Sequence, residues 1–433
     1  MTQATRNLAN LTERLMREIE NAGPVRHYGV NTDFVSFTKQ GLGGLMLTDD
    51  DAQQYRKCVN EVHKEAAGKN EQISRSAVES IIQQAMLKAL DPEHTSNEKD
   101  PSKRLAAALA TMEKELREKP VTWEIYFPVD GLLTDNLPYK FGRCTFYLAD
   151  DAFMGSLEER LRKSFGSDTD TSRVQKIIAG KTGVVTSEDA VDKDAAEMLA
   201  RNRIRRTLDV LSFFSNLGGT PRSQIIFAED AGPKRLNPFV FCERKTEGWM
   251  PSEWVGPIAP FSFNATFLDQ AGQAEASAIL QADEPTEFQG RIISALQWAG
   301  RASVEPRNEE AFLLFAIALE SLLMAREDKS ELTEKLALRA AHVIAIPKGR
   351  LRVYREVKRL YAIRSQIVHS GHAEVGEADL SLVRFYVRVA LLTMLRNSKF
   401  AGMASDSDLM DWFRAKLLDI EPEHASPSVK NEL

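Results

Sequence analysis

The feature that most limits the fold is an abrupt change of pattern near position 283. Beyond it, strand-like segments cease and apolar residues recur at three- and four-residue steps, the period of an amphipathic helix. The spacing predicts helices over 287–302, 308–326, 332–346, 350–369 and 378–396, with a weaker one over 408–418. The breaks between them are short and hold Pro306, Pro347-Lys348-Gly349 and Ser370-Gly371, so consecutive helices are expected to pack as antiparallel neighbours. Such a set buries its own core, which sets apart an all-helical domain over 285–420 and a polar tail over 421–433.

The sequence ahead of that domain is mixed. A 1–24 segment carries Leu8, Leu11, Leu15 and Ile19 at helical spacing. Over 25–265 short extended segments fall at 35–37, 45–47, 122–127, 143–148, 184–186, 225–227 and 239–243, with helix across most of 49–116 and again over 194–217. The strands at 122–127 and 143–148 are expected to be neighbours, Ser187-Glu188-Asp189-Ala190 to start a helix, and 266–284 to be a linker. The expected fold class is therefore multidomain α+β: a mixed α/β N-terminal region followed by an all-α helical bundle. A length of 433 residues fits two or three such domains.

Composition narrows the function. The formal net charge of −6 excludes a uniformly basic nucleic-acid coat and leaves room only for a local basic groove. No run reaches roughly 18 apolar residues, and no apolar signal core follows Arg6, so no membrane partner and a cytoplasmic location are expected. Cys58, Cys144 and Cys242 are far apart, and His27, His63, His94 and His424 are scattered singles; no metal or other cofactor is expected. Gly180-Lys181-Thr182 imitates the end of a phosphate loop, but the glycine that such a loop needs upstream is Gln175. Gly41-Leu42-Gly43-Gly44 reads as a turn, and Arg201, Arg203, Arg205 and Arg206 as the polar face of a packed helix.

The 350–369 helix is the exception to ordinary patterning. Val353, Val357, Leu360, Ile367 and Val368 define its core side, and Arg364 lies only about 20° from Val357 around the axis. A cation aimed along an apolar stripe is costly unless it is compensated. Three arrangements answer that cost: a buried carboxylate such as Glu320, escape to the surface, or a polar cleft at a subunit interface. His369 stands five residues on, about 140° away in a regular helix. The two side chains converge only if the last turn is irregular or if a second copy of the helix completes the site across a twofold axis. The surroundings are strongly basic: Lys348, Arg350, Arg352, Arg355, Lys358, Arg359 and Arg364 against Glu356 alone give a local formal charge of +6. That pattern suits a phosphate backbone, with a solvated helix face as the alternative.

The segment Arg364-Ser365-Gln366-Ile367-Val368-His369 resembles the HEPN signature, an arginine and a histidine separated by a short spacer. Ala318-Leu319-Glu320-Ser321-Leu322-Leu323 and the run Leu360-Tyr361-Ala362-Ile363 are similar to the Apea-like branch, over about residues 285–400. The resemblance implies a metal-independent endoribonuclease or an RNA-binding relative, usually homodimeric, often serving antiphage defence or toxin systems. It implies Arg364 and His369 as the active-site pair, with Ser365 where many active members carry Asn, Asp or His. Glu320, as a partner for Arg364, and His372 are candidate supporting residues, with a surface histidine at the helix exit as the other reading of His372. Serine hydrogen-bonds but brings no charge at neutral pH. RNA would lie on Lys348, Arg350, Arg352, Arg355, Lys358 and Arg359. A catalytically silent RNA- or nucleotide-binding module and a dimerisation or sensing scaffold are the alternatives.

Overall fold

Two compact units make up the chain, Met1–Ile125 with Ser187–Asn202, and Tyr126–Thr186 with Arg203–Leu433. The structure, a computed structural model, describes residues 2–22, 34–39, 42–68, 71–90, 100–165, 171–217, 223–228, 230, 235–236, 240–242, 247–249, 253–254, 261–268, 270–325, 328, 330–370 and 374–419. It is α+β, with a mixed N-terminal region and an all-helical C-terminal one.

The first unit holds α1 (Gln3–Ala22), the antiparallel hairpin β1 (Phe34–Lys39) and β2 (Leu42–Thr48), α2 (Asp49–Ala67), α3 (Arg75–Leu90) and α4 (Pro101–Glu115). The leucine stripe of α1 finds its partner here: Leu8, Leu11 and Leu15 are buried in one core with Tyr55, Val59, Val78, Ile82 and Met112. Asp100 caps α4 by accepting from the Ser102 N–H, and Pro101 follows it in the first turn, where a missing N–H costs nothing. Gly43 and Gly44 lie within β2 rather than in a turn.

A five-stranded sheet is formed by β3 (Val121–Asp130), β4 (Tyr139–Phe141), β5 (Cys144–Leu148), β6 (Thr182–Ala190) and β7 (Ile226–Phe227). The intervening helices are α5 (Asp151–Phe165), α6 (Ser172–Ile178) and α7 (Lys193–Ser215). The strand order β4-β5-β6-β3-β7 separates β3 from β5, so the two segments expected as neighbours are not adjacent. The strand between them is β6, which continues through Ser187–Ala190, where a helix start was expected. Thr186, Glu188 and Ala190 are buried while Ser187 and Asp189 are exposed, a period of two that polar residues disguise in the sequence. Gly180 turns the chain from α6 into β6 at a φ of 73°, and helix before strand is the reverse of the order that a phosphate loop requires.

Two small antiparallel pairs follow, β8 (Arg235–Leu236) with β11 (Glu253–Trp254) and β9 (Val240–Cys242) with β10 (Glu247–Trp249). The stretch expected as a linker carries α8 (Ala265–Leu268) and α9 (Gln273–Gln281). There Ser277 Oγ accepts from the Gly142 N–H at 2.9 Å, and Gln273 hydrogen-bonds the Tyr139 hydroxyl.

The C-terminal bundle is α10 (Glu287–Val304), α11 (Asn308–Leu323), α12 (Leu332–Ile344), α13 (Arg350–Ser370), α14 (Glu377–Arg396), the short α15 (Ser398–Ala401) and α16 (Asp406–Leu417). Capping boxes at Thr286/Gln289 and Ser405/Asp408 start α10 and α16. The open carbonyls at the end of α11 are answered by arginines. Arg291, paired with Asp406, donates to Ser321 O and Met324 O at 2.9 and 2.6 Å, and Arg339, paired with Asp328, donates to Leu323 O at 3.0 Å. These bonds fix α11, which carries Glu320.

Gly300 permits the backbone of α10 to touch that of α7: a Cβ there would overlap the Asp209 carbonyl oxygen. The adjacent Arg301 pairs with the Asp209 carboxylate at 2.8 Å. Gly300→Ala should therefore destabilise the fold by at least about 2 kcal/mol despite alanine's better helix propensity, because backbone, not a mobile side chain, fills the space. Urea denaturation checks this; a neutral or stabilising result would mean that the two helices are not so closely apposed.

Candidate active site

Helix α13 begins after a 3-10 turn over Pro347–Gly349 and stays α-helical through Ser370. Its inward stripe is Val353, Val357, Leu360 and Ile367, all buried. Val368, expected with them, is 53% exposed, since one residue beyond Ile367 turns the side chain roughly 100° away from the core. Regular winding to the end also removes the irregular last turn that would have brought His369 round to Arg364. Within one chain the two side chains point about 140° apart.

Arg364 is compensated by Glu320. Its Nε lies 3.1 Å from Glu320 Oε1, and the two side chains are about a quarter exposed. Both atoms are shielded from water and out of line for a hydrogen bond, so the contact is an ion pair held by charge. The guanidinium also sits over the Tyr361 ring, 5.4 Å from its centroid. Burial pushes the Glu320 carboxyl above its ordinary range, against the opposing pull of Arg364 and of a hydrogen bond with Tyr361. Burial raises the Tyr361 phenol as well, helped by the Glu320 charge.

On the other side of α13 a surface hollow of about 500 Å³ is lined by Thr333 of α12 and by Tyr361, Ala362, Ser365, Gln366 and His369. Ser365 and His369 thus share one site and Arg364 stands beside it, its charge turned toward α11. His372 lies outside the described residues. Tyr361, Gln366 and Thr333 went unnoticed as site residues in the sequence; the four-residue steps Tyr361, Ser365, His369 were the available signal, since such steps share a helix face.

The basic run is largely spoken for. Arg352 pairs with Glu356 at 3.0 Å, Lys358 with Glu334 at 2.9 Å and Arg359 with Asp379 at 2.6 Å. Hydrogen bonding from the Tyr386 hydroxyl holds the Glu356 carboxyl below its usual range, although partial burial opposes it. Among the described residues, Lys348, Arg350 and Arg355 form no such ion pair. One carboxylate on α12 and one on α14 therefore take two from the +6 counted along the sequence, and Glu320 on α11 takes a third. Such exposed pairs are weak and exchange readily with phosphate.

Among the described residues no group of three or more His, Cys, Asp or Glu side chains is placed to hold a metal ion, and no helix is long and apolar enough to cross a membrane. No family model, curated protein or solved structure matches the chain.

The contest at Glu320 is measurable. A raised carboxyl means that the folded chain keeps a proton that the unfolded chain releases near pH 4.5. The stability this contributes is complete below that pH and is lost as pH rises through the folded value. The stability of wild type relative to Glu320→Gln should thus fall as pH rises from 4.5 toward neutrality in urea titrations. A difference that grew with pH would mean that pairing with Arg364 outweighs burial.

Proposed function

We propose that the C-terminal bundle is a metal-independent endoribonuclease whose active site is assembled from two copies of α13, Arg364 coming from one and His369 from the other. The observation that carries this reading is the regular winding of α13 through Ser370, which sets the two side chains apart in one chain while leaving His369 exposed in a ligand-sized hollow with Ser365.

The chemistry follows from the residue types. Imidazole titrates closest to neutrality and suits proton transfer. One His369 takes the proton of the ribose 2'-OH, the 2'-oxygen forms a bond to phosphorus, and the bond to the 5'-oxygen breaks. The protonated His369 then passes that proton to the leaving 5'-oxygen, directly or through water. Arg364, always charged and forked, compensates the charge that grows on the phosphoryl oxygens. To do so it exchanges the Glu320 carboxylate for phosphate. Products are a 2',3'-cyclic phosphate and a 5'-hydroxyl end, and DNA is inert because it lacks the nucleophile. Lys348 and Arg355 supply the cations most open to the RNA backbone, half-buried Arg350 a less open one, with Arg352, Lys358 and Arg359 able to join by releasing their partners.

A second reading, an RNA-binding module without catalysis, is favoured by the Arg364–Glu320 pair, which occupies the cation in the single chain. One experiment separates the two. Purified His369→Ala should stay folded and bind RNA but cleave it at least about 100-fold more slowly than wild type in excess EDTA, since positioned acid–base catalysis contributes roughly 10²–10⁴-fold. Wild-type products should carry cyclic phosphate ends. Equal cleavage by wild type and His369→Ala would assign the activity to another site, and RNA binding without cleavage by either would favour the silent module.

A further inference from the structure

The lining of the hollow is wrong for phosphate and right for a neutral ring. Among the described residues its lining is Thr333, Tyr361, Ala362, Ser365, Gln366 and His369, with no lysine, arginine or carboxylate. Its volume of about 500 Å³ falls in the range of about 300–1,000 Å³ typical of small-molecule sites. Ala362, exposed in the middle of the lining stripe, has nothing beyond Cβ, so the floor between the larger side chains stays low. Tyr361 and His369 are two turns apart, roughly 12 Å along the helix, about the reach of one nucleotide with its flanking phosphate.

We propose that this hollow is a nucleobase subsite, in which the Tyr361 ring is the platform for a base and Thr333, Ser365 and Gln366 face its hydrogen-bonding edge. The proposal rests on the ribonuclease reading for its biological substrate, though not for its test. Aromatic platforms accept any base, and polar groups at the edge make the choice among them. The position of Arg364 fits the same ligand. Its guanidinium covers one face of the Tyr361 ring, so a base in the hollow would stack on the other face, with a cation behind the ring. His369 lies at the far end of the hollow, two turns on along the helix.

Binding of the four 3'-nucleoside monophosphates and of ribose 5-phosphate to the full chain, followed by calorimetry, tests this without requiring cleavage. Wild type should bind at least one nucleotide about 10-fold or more tightly than ribose 5-phosphate, given the usual contribution of one stacked base. Ala362→Leu fills the hollow from an exposed position with a good helix former, and circular dichroism should show it folded. It should abolish the nucleotide preference and leave ribose 5-phosphate binding unchanged. Tyr361→Leu should do the same to the base term while also loosening Arg364. Equal affinity for nucleotides and ribose 5-phosphate, no nucleotide binding at millimolar concentration, or full nucleotide affinity in Ala362→Leu overturns the subsite. Nucleotide binding that Ala362→Leu abolishes, in a protein that cleaves no RNA, upholds the subsite and removes the ribonuclease.

Discussion

An arginine placed in line with Val357 and Leu360 has to be compensated where it stands, and in this bundle Glu320 compensates it. The carboxylate arrives on α11, one of the most apolar helices of the chain, where it follows the run from Phe312 to Leu319. Its position depends on the C-terminal end of α11 being tied down, which the Arg291 and Arg339 hydrogen bonds to the last carbonyls do. The orientation of Tyr361 depends in turn on Glu320 and Arg364, and Tyr361 forms one wall of the hollow. A single charge pair therefore connects the core side of α13 with the side that lines the hollow.

The pair is strained by its surroundings rather than relaxed in them. Burial disfavours the Glu320 charge more than Arg364 favours it. A phosphodiester, more acidic than any carboxyl, bears burial of its charge beside the guanidinium more readily than a carboxylate whose pKa burial raises. In the proposed ribonuclease, exchange of Glu320 for phosphate would rest on that difference in acidity.

Much of the bundle was legible in the sequence because amphipathic period and short proline- or glycine-bearing breaks are local signals. The helices around Arg350 and Glu377 begin within a residue of where apolar spacing puts them. The Glu320 contact was legible too, since one acid interrupts an otherwise apolar run. What the sequence concealed depends on distant partners. The acids that offset the basic run come from α12 and α14, and Glu334 and Asp379 have no sequence relation to Lys358 and Arg359. The 187–190 part of strand β6 was hidden because its exposed residues are Ser187 and Asp189, which imitate a helix cap. Thr333 enters the hollow only because α12 folds back on α13, and no spacing rule within α13 announces it.

The central claim is that Arg364 and His369 act across two chains, and complementation tests it most directly. Arg364→Ala and His369→Ala proteins are purified separately, shown to be inactive, then mixed, allowed to exchange subunits and assayed on RNA in EDTA. A mixed dimer holds one site with Arg364 from one chain and His369 from the other, so the mixture should regain cleavage that neither variant has alone. If the subunits exchange, as native mass spectrometry would show, and the mixture stays as inactive as its components, the pair works within one chain and the composite site is wrong.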